Sequence, residues 1–313
     1  MLVSSALLAV AVPMTPQISV WHVILTFGQS NSVGTNSQQG GYPVWPTTPR
    51  IQSYCFSGLL ECTAREFSPA KVPLFGETNV GFSQTFANLL LPTLPEDHGI
   101  VLLNAGVGGT GFQDGNWVVP DGPLLQRSLS AVKELSEVLP KTLGGNYSFH
   151  TFLWHQGEDD AGDNSAGFAA SYCHYLESDL SALIDYVRGH VPGASESTPF
   201  LNGGMLPYWV DTANGTEGVM SAIYAVNTSR AFTATADSRI FPDFFPGTKT
   251  PDGEPNYRSG ASGLVIHFNA TQATLMGHQY WAAYHRAVKL EAVVPSARTL
   301  NCNQSAASMV EAT

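Results

Sequence analysis

The sequence predicts an α/β protein built on a central, mostly parallel sheet. Short apolar runs alternate with longer amphipathic stretches along most of the chain. The apolar runs do not alternate with polar residues, as expected for strands buried on both faces. The runs end in loops rich in Gly, Asn and Gln, where ligands bind in open α/β sheets.

In chain order, strands are expected at 20–27 (VWHVILTF), more weakly at 50–56 (RIQSYCF), then at 99–104, 149–154 and 199–204. These make a five-stranded sheet. Between them, Leu125, Leu129, Val132, Leu135 and Val138 recur at helical spacing over 123–139, and Pro140 is expected to end that helix. Tyr172, Leu176, Leu180, Leu183 and Val187 form one stripe over 168–188. A last helix over about 270–290 opens on Asn269, a suitable N-cap. Long irregular segments at 31–49, 105–122 and 236–262 border the strand ends, and loops of that length are usually functional. No repeats or low-complexity segments interrupt the pattern.

Bulk composition narrows the function. The 313 residues include 43% hydrophobic residues, enough for a sizeable core. Only 14 Lys and Arg stand against 25 Asp and Glu, giving a net charge of −11 and no basic run. Nucleic-acid partners and anionic membrane surfaces are therefore not expected. Residues 2–12 form a short apolar run containing Ala9-Val10-Ala11, a signal-cleavage shape, although no Lys or Arg precedes it. Residues 1–19 are read as a secretory signal, or as an apolar lead-in to the first strand. The run is too short to span a bilayer. Four cysteines, Cys55, Cys62, Cys173 and Cys302, allow three pairings and contain no C-x-x-C. One pairing joins Cys55 to Cys62 across a small loop and Cys173 to Cys302 at the C-terminal tail. Sequons at Asn146, Asn214, Asn227, Asn269 and Asn303 add to the expectation of a secreted glycoprotein.

Three strand ends carry the chemistry: Gly28-Gln29-Ser30-Asn31, then Gly106-Val107-Gly108-Gly109-Thr110-Gly111, then His155-Gln156-Gly157-Glu158-Asp159-Asp160. Far downstream stands His267-Phe268. A serine hydroxyl needs a general base to attack a carbonyl at neutral pH, and His267 is the candidate. The oxyanion formed needs preorganised donors. A glycine at 28 allows a tight turn that aims the Ser30 N–H inward, and Gly108-Gly109 lets a backbone N–H approach closely. Gln156 offers a side-chain NH₂. The glycine segment does not fit G-x-G-x-x-G, and no Lys follows it for a phosphate loop.

GQSN, GGT, WHQGE-x-D and the late His-Phe, in this order over about residues 20–290, resemble the SGNH hydrolases. The nearest branch is the sialate O-acetylesterases and carbohydrate esterase family 6, which includes acetylxylan esterases. The resemblance implies a three-layer α/β/α sandwich, flavodoxin-like, over residues 20–292, with 293–313 as a tail. It also implies a serine esterase that removes acetyl groups from carbohydrates without a cofactor or metal. Ser30 would be the nucleophile and His267 the base. Ser30, Gly108, Gly109 and Gln156 would form the oxyanion hole, supported by Gln29, Asn31 and His155. The family's usual Asp, three residues before the His, is Leu264 here. Either Glu158 replaces it, or Ser30 and His267 act as a dyad, or activity has been lost. Glu158-Asp159-Asp160 reads otherwise as a solvated turn, or as part of a calcium loop whose spacing does not match an EF-hand. Trp117 and Trp209 are candidates for stacking on a sugar ring, with core packing as the alternative. A carbohydrate-binding protein without activity and a lipid or aryl esterase are the competing functional readings.

Overall fold

The computed structural model describes residues 17–35, 45–59, 62, 65–162, 168–206, 216–239, 267–289 and 302. The expected signal segment, apart from 17–19, and the tail, apart from Cys302, lie outside them.

One sheet runs through the described residues. Its strands are β1 (Val20–Gly28), β2 (Ile51–Cys55), β3 (Glu66–Pro69), β4 (His98–Asn104), β5 (Asn146–His155), β6 (Phe200–Gly203) and β7 (Thr233–Ala236). The spatial order is β3-β2-β4-β1-β5-β6-β7. Every pairing is parallel except β2 with β3. All five expected strands are present, but the sheet has seven. The missed pair had little to show in sequence. β3 is Glu-Phe-Ser-Pro, a short antiparallel edge strand with a terminal proline, where prolines are tolerated. β7 is Thr-Ala-Thr-Ala, buried but without an apolar run.

The helices are α1 (Ser30–Val33), α2 (Ser83–Leu90), α3 (Pro123–Thr142), α4 (Glu158–Gly162), α5 (Phe168–Cys173), α6 (Ser181–His190), α7 (Thr216–Ser229) and α8 (Ala270–Val288). α3 runs through Pro140 rather than ending there. Only the last turn is affected, where one missing N–H costs a single bond. Between α5 and α6 the chain widens into a π-helical stretch, His174–Leu180, which the periodic stripe did not reveal. The stripe residues themselves are all buried.

Each face of the sheet is covered. Val23, Leu25 and Phe27 pack with residues of α3, the α5–α6 segment and α7. Ile24, Leu102 and Leu153 pack with residues of α2 and α8. The result is a three-layer α/β/α sandwich. α8 is fixed at its start by a capping box: the Asn269 side chain accepts from the Gln272 N–H, and the Gln272 side-chain oxygen accepts from the Asn269 N–H. Along its length, Tyr280 stacks on Phe82 at 4.4 Å and donates its hydroxyl to the Trp154 carbonyl at 2.7 Å.

Two disulfides close the framework, Cys55–Cys62 and Cys173–Cys302, which is the pairing considered above. They span 7 and 129 residues. Loop closure makes the longer one worth about 5 kcal/mol and the shorter one about 2 kcal/mol. Replacing Cys173 and Cys302 together by Ser should therefore lower the urea midpoint well beyond the Cys55/Cys62 double substitution. Equal losses would show that the long loop contributes no extra constraint.

Candidate active site

The site stands where β4, β1 and β5 end side by side, with Thr26 opposite Asn104 and Gly28 opposite His155. Gly28 adopts φ 116°, and a Cβ there would lie 2.1 Å from the His155 carbonyl oxygen. No other residue type fits that close approach. The strand ends are stitched together beyond it: the Gln29 N–H donates to the His155 carbonyl at 2.8 Å, and the Val107 N–H to the Gly28 carbonyl at 2.9 Å. Ser30 then opens α1, so its N–H belongs to the first turn, where backbone donors have no intrahelical partner. The side chain is half-buried.

Gly108 and Gly109 are exposed beside it. A Cβ on Gly108 would sit 3.6 Å from the Ser30 Cβ, so any side chain there would stand over the nucleophile. Gly109 has φ 65°, in the left-handed region. Their loop is pinned by Asn104, whose side chain donates to the Ser32 carbonyl and accepts from the Gly106 N–H. Nothing in the sequence near Asn104 marks that function beyond its place at a strand end.

Glu158 is the centre of the polar network. It is 1% exposed, so it is no solvated turn residue. Its Oε2 accepts from Gln29 Nε2 at 2.7 Å and its Oε1 from Asn31 Nδ2 at 2.7 Å. His155 Nε2 lies 3.2 Å from Oε1. Burial raises the carboxyl pKa, but His155 and the Asn31 bond outweigh it and hold the value below normal. The amides of Gln29 and Asn31 are engaged at both ends. Gln29 Oε1 accepts from the Asp159 N–H at 3.2 Å, and Asn31 Oδ1 accepts from the Phe268 N–H at 3.0 Å. The three supporting residues read from the sequence thus meet on one carboxylate. His155 is fully buried and reaches Tyr280, its Nδ1 3.2 Å from the hydroxyl.

The Phe268 bond brings His267 to the nucleophile turn. His267 is half-buried. Burial lowers its pKa, and the Glu158 charge pulls it partly back. Glu158 thus influences His267 through space, while its hydrogen bonds go to the residues flanking Ser30. Leu264 lies outside the described residues.

Gln156 is fully buried, and one of its N–H bonds is given to Asp160 at 2.6 Å. Trp117 is a core residue, not a sugar platform. It is 0% exposed, donates to Thr110 Oγ1 at 3.0 Å, and packs edge-on against Phe27 and Trp154. An indole of that size at a strand-end loop gains more by filling the core than by facing water. Trp209 lies outside the described residues. Among the described residues, no group of three His, Cys, Asp or Glu is arranged to hold a metal ion, and no helix is long and apolar enough to cross a membrane.

Known proteins were compared with this chain. No curated protein sequence matches it. Two solved structures share its fold at low sequence identity. The crystal structure of NanS is 18% identical, with a TM-score of 0.59, covering 87% of this chain and 98% of its own. A protein from Arabidopsis thaliana is also 18% identical, with a TM-score of 0.54, covering 84% of this chain and 97% of its own. A family model described as "Carbohydrate esterase, sialic acid-specific acetylesterase" matches residues 20–228, about two thirds of the sequence. His267 stands beyond the matched region. The SGNH hydrolase resemblance seen in the motifs is thereby upheld, and the chain belongs to the carbohydrate esterase, sialic acid-specific acetylesterase family.

Proposed function

We propose that this carbohydrate O-acetylesterase works through Ser30, with His267 as general base and Glu158 as the carboxylate that organises both. The observation that carries the reading is the buried Glu158, bonded to the residues on either side of Ser30 and linked through Asn31 to the backbone beside His267. His267 takes the hydroxyl proton as Ser30 Oγ attacks the acetyl carbonyl. The Ser30 N–H, an N–H of Gly108 or Gly109, and the second N–H of Gln156 receive the oxyanion. The C–O bond to the sugar then breaks, and the sugar oxygen leaves with the proton held by His267. Water, deprotonated by His267, attacks the acetyl-enzyme; the bond to Ser30 Oγ breaks, His267 returns the proton to Ser30, and acetate leaves. The Glu158 charge stabilises the imidazolium at each proton transfer.

The two disulfides, the sequons and the apolar N-terminal run support a secretory-pathway location. The net charge of −11 favours neutral acetylated sugars over strongly anionic polymers unless a local pocket compensates.

A fluorophosphonate probe should label Ser30 in the folded protein, and Ser30→Ala should abolish acetate release. Labelling absent from folded protein, with Ser30→Ala as active as wild type, would end the serine-esterase mechanism.

The pH profile tests Glu158. His267 must be neutral to act as base, so kcat/KM falls as pH drops through its pKa, which lies below the usual 6.5. Glu158→Gln removes the charge that favours imidazolium, so the acidic limb should move to lower pH. Gln also offers one acceptor oxygen where Gln29 and Asn31 need two, and kcat should fall about 100-fold. An unmoved limb with near-wild-type kcat would remove Glu158 from the mechanism.

A further inference from the structure

Gln156 is held at both ends of its amide. Its Oε1 accepts from the Tyr175 hydroxyl at 2.8 Å, and the same hydroxyl lies 3.0 Å from the Gln156 backbone carbonyl. Its Nε2 donates to Asp160 Oδ2 at 2.6 Å. In this arrangement the nitrogen faces Asp160 and the oxygen faces Tyr175. With the planar amide fixed in this way, the second N–H has a single direction. Tyr175, Gln156 and Asp160 are 2%, 0% and 2% exposed, which leaves little access for water to replace either contact. Burial keeps the Tyr175 hydroxyl protonated far above neutral pH.

The same network reaches the glycine loop. Asp160 accepts from the Phe112 N–H at 3.1 Å and the Gln113 N–H at 2.9 Å, and its backbone carbonyl accepts from Gln113 Nε2 at 3.1 Å. A Cβ on Gly111 would come within 2.6 Å of Asp160 Oδ1. One carboxylate therefore joins Gln156 to the segment that follows Gly108 and Gly109. Tyr175 arrives from the π-helical stretch between α5 and α6. Such stretches re-aim a side chain relative to the regular helix and recur at functional sites.

We propose that Tyr175 is a positioning residue for ester hydrolysis, holding the Gln156 amide in the orientation that presents its free N–H to the oxyanion. This rests on Gln156 acting as an oxyanion donor, as proposed above. Tyr175 acts through Gln156 and does not itself touch the reacting atoms. Without the hydroxyl, the amide can flip or swing, and a carbonyl oxygen turned toward the oxyanion would repel it. The loss falls on the transition state and not on substrate binding.

A double-mutant cycle with p-nitrophenyl acetate tests this. Tyr175→Phe should lower kcat about 10- to 100-fold with KM changed less than about twofold. Gln156→Ala should lower kcat at least as much. On the Gln156→Ala background, Tyr175→Phe should cost nothing further. An equal loss in both backgrounds would make Tyr175 merely structural and overturn the proposal. Wild-type kcat in Tyr175→Phe, with Gln156→Ala impaired, would overturn it while leaving the Gln156 donor intact. Wild-type kcat in Gln156→Ala would overturn the donor reading and the proposal together. If near-UV circular dichroism shows that Tyr175→Phe does not fold, Asp160→Asn loosens the same amide from its nitrogen side. It should lower kcat at unchanged KM, and an unchanged kcat would overturn the proposal.

Discussion

A carboxylate removed from water must have its charge met by donors, or the fold loses several kcal/mol. Glu158 meets that demand with the side chains of Gln29 and Asn31 and with the His155 ring at 3.2 Å. The nucleophile lies between two of those donors. Anything that moved Ser30 away from its place at the end of β1 would break bonds to a buried charge, at a cost of about 3–5 kcal/mol. The stability of the polar core and the placement of Ser30 are therefore one constraint. The backbone obeys it too, because Gly28 has to pass against the His155 carbonyl for Gln29 and Asn31 to reach the carboxylate.

A second buried carboxylate, Asp160, stands two residues on and organises the neighbouring region in the same way. Burial raises its pKa, against the bonds from the Gln113 and Phe112 N–H groups and Gln156. Glu158 thus holds the two amides that flank Ser30, and Asp160 holds Gln156 and the segment after Gly109. Both project from α4, a five-residue helix directly after β5. A single short turn therefore carries both buried carboxylates.

Much of this was legible in the sequence. The strand ends at Gly28, Asn104 and His155 were marked by apolar runs meeting glycines and amides, and those signals are local. Ser30, Gly108 and Glu158 followed from the motifs at those ends. Other features depend on partners distant in sequence. Trp117 sits in a loop that reads as exposed, and its burial is decided by Phe27 and Trp154 on strands far from it in sequence. Asp160 stands in an acidic triplet that gives no hint which members face inward; the backbone donors that hold it lie 47 and 48 residues earlier. Tyr175 lies within the 168–188 stretch but off its apolar stripe, and a π-helical widening changes side-chain direction without changing composition.

The contact between the Phe268 N–H and the Asn31 side chain joins residues 237 positions apart. It links the nucleophile turn, made from some of the first residues of the sheet, to the start of the last helix. A chain emerging from the ribosome would complete β1, β4 and β5 long before His267 existed. The Asn31 side chain would then lack the Phe268 N–H that it accepts from in the finished fold. The turn that carries Ser30 is therefore completed only when the start of α8 docks against it.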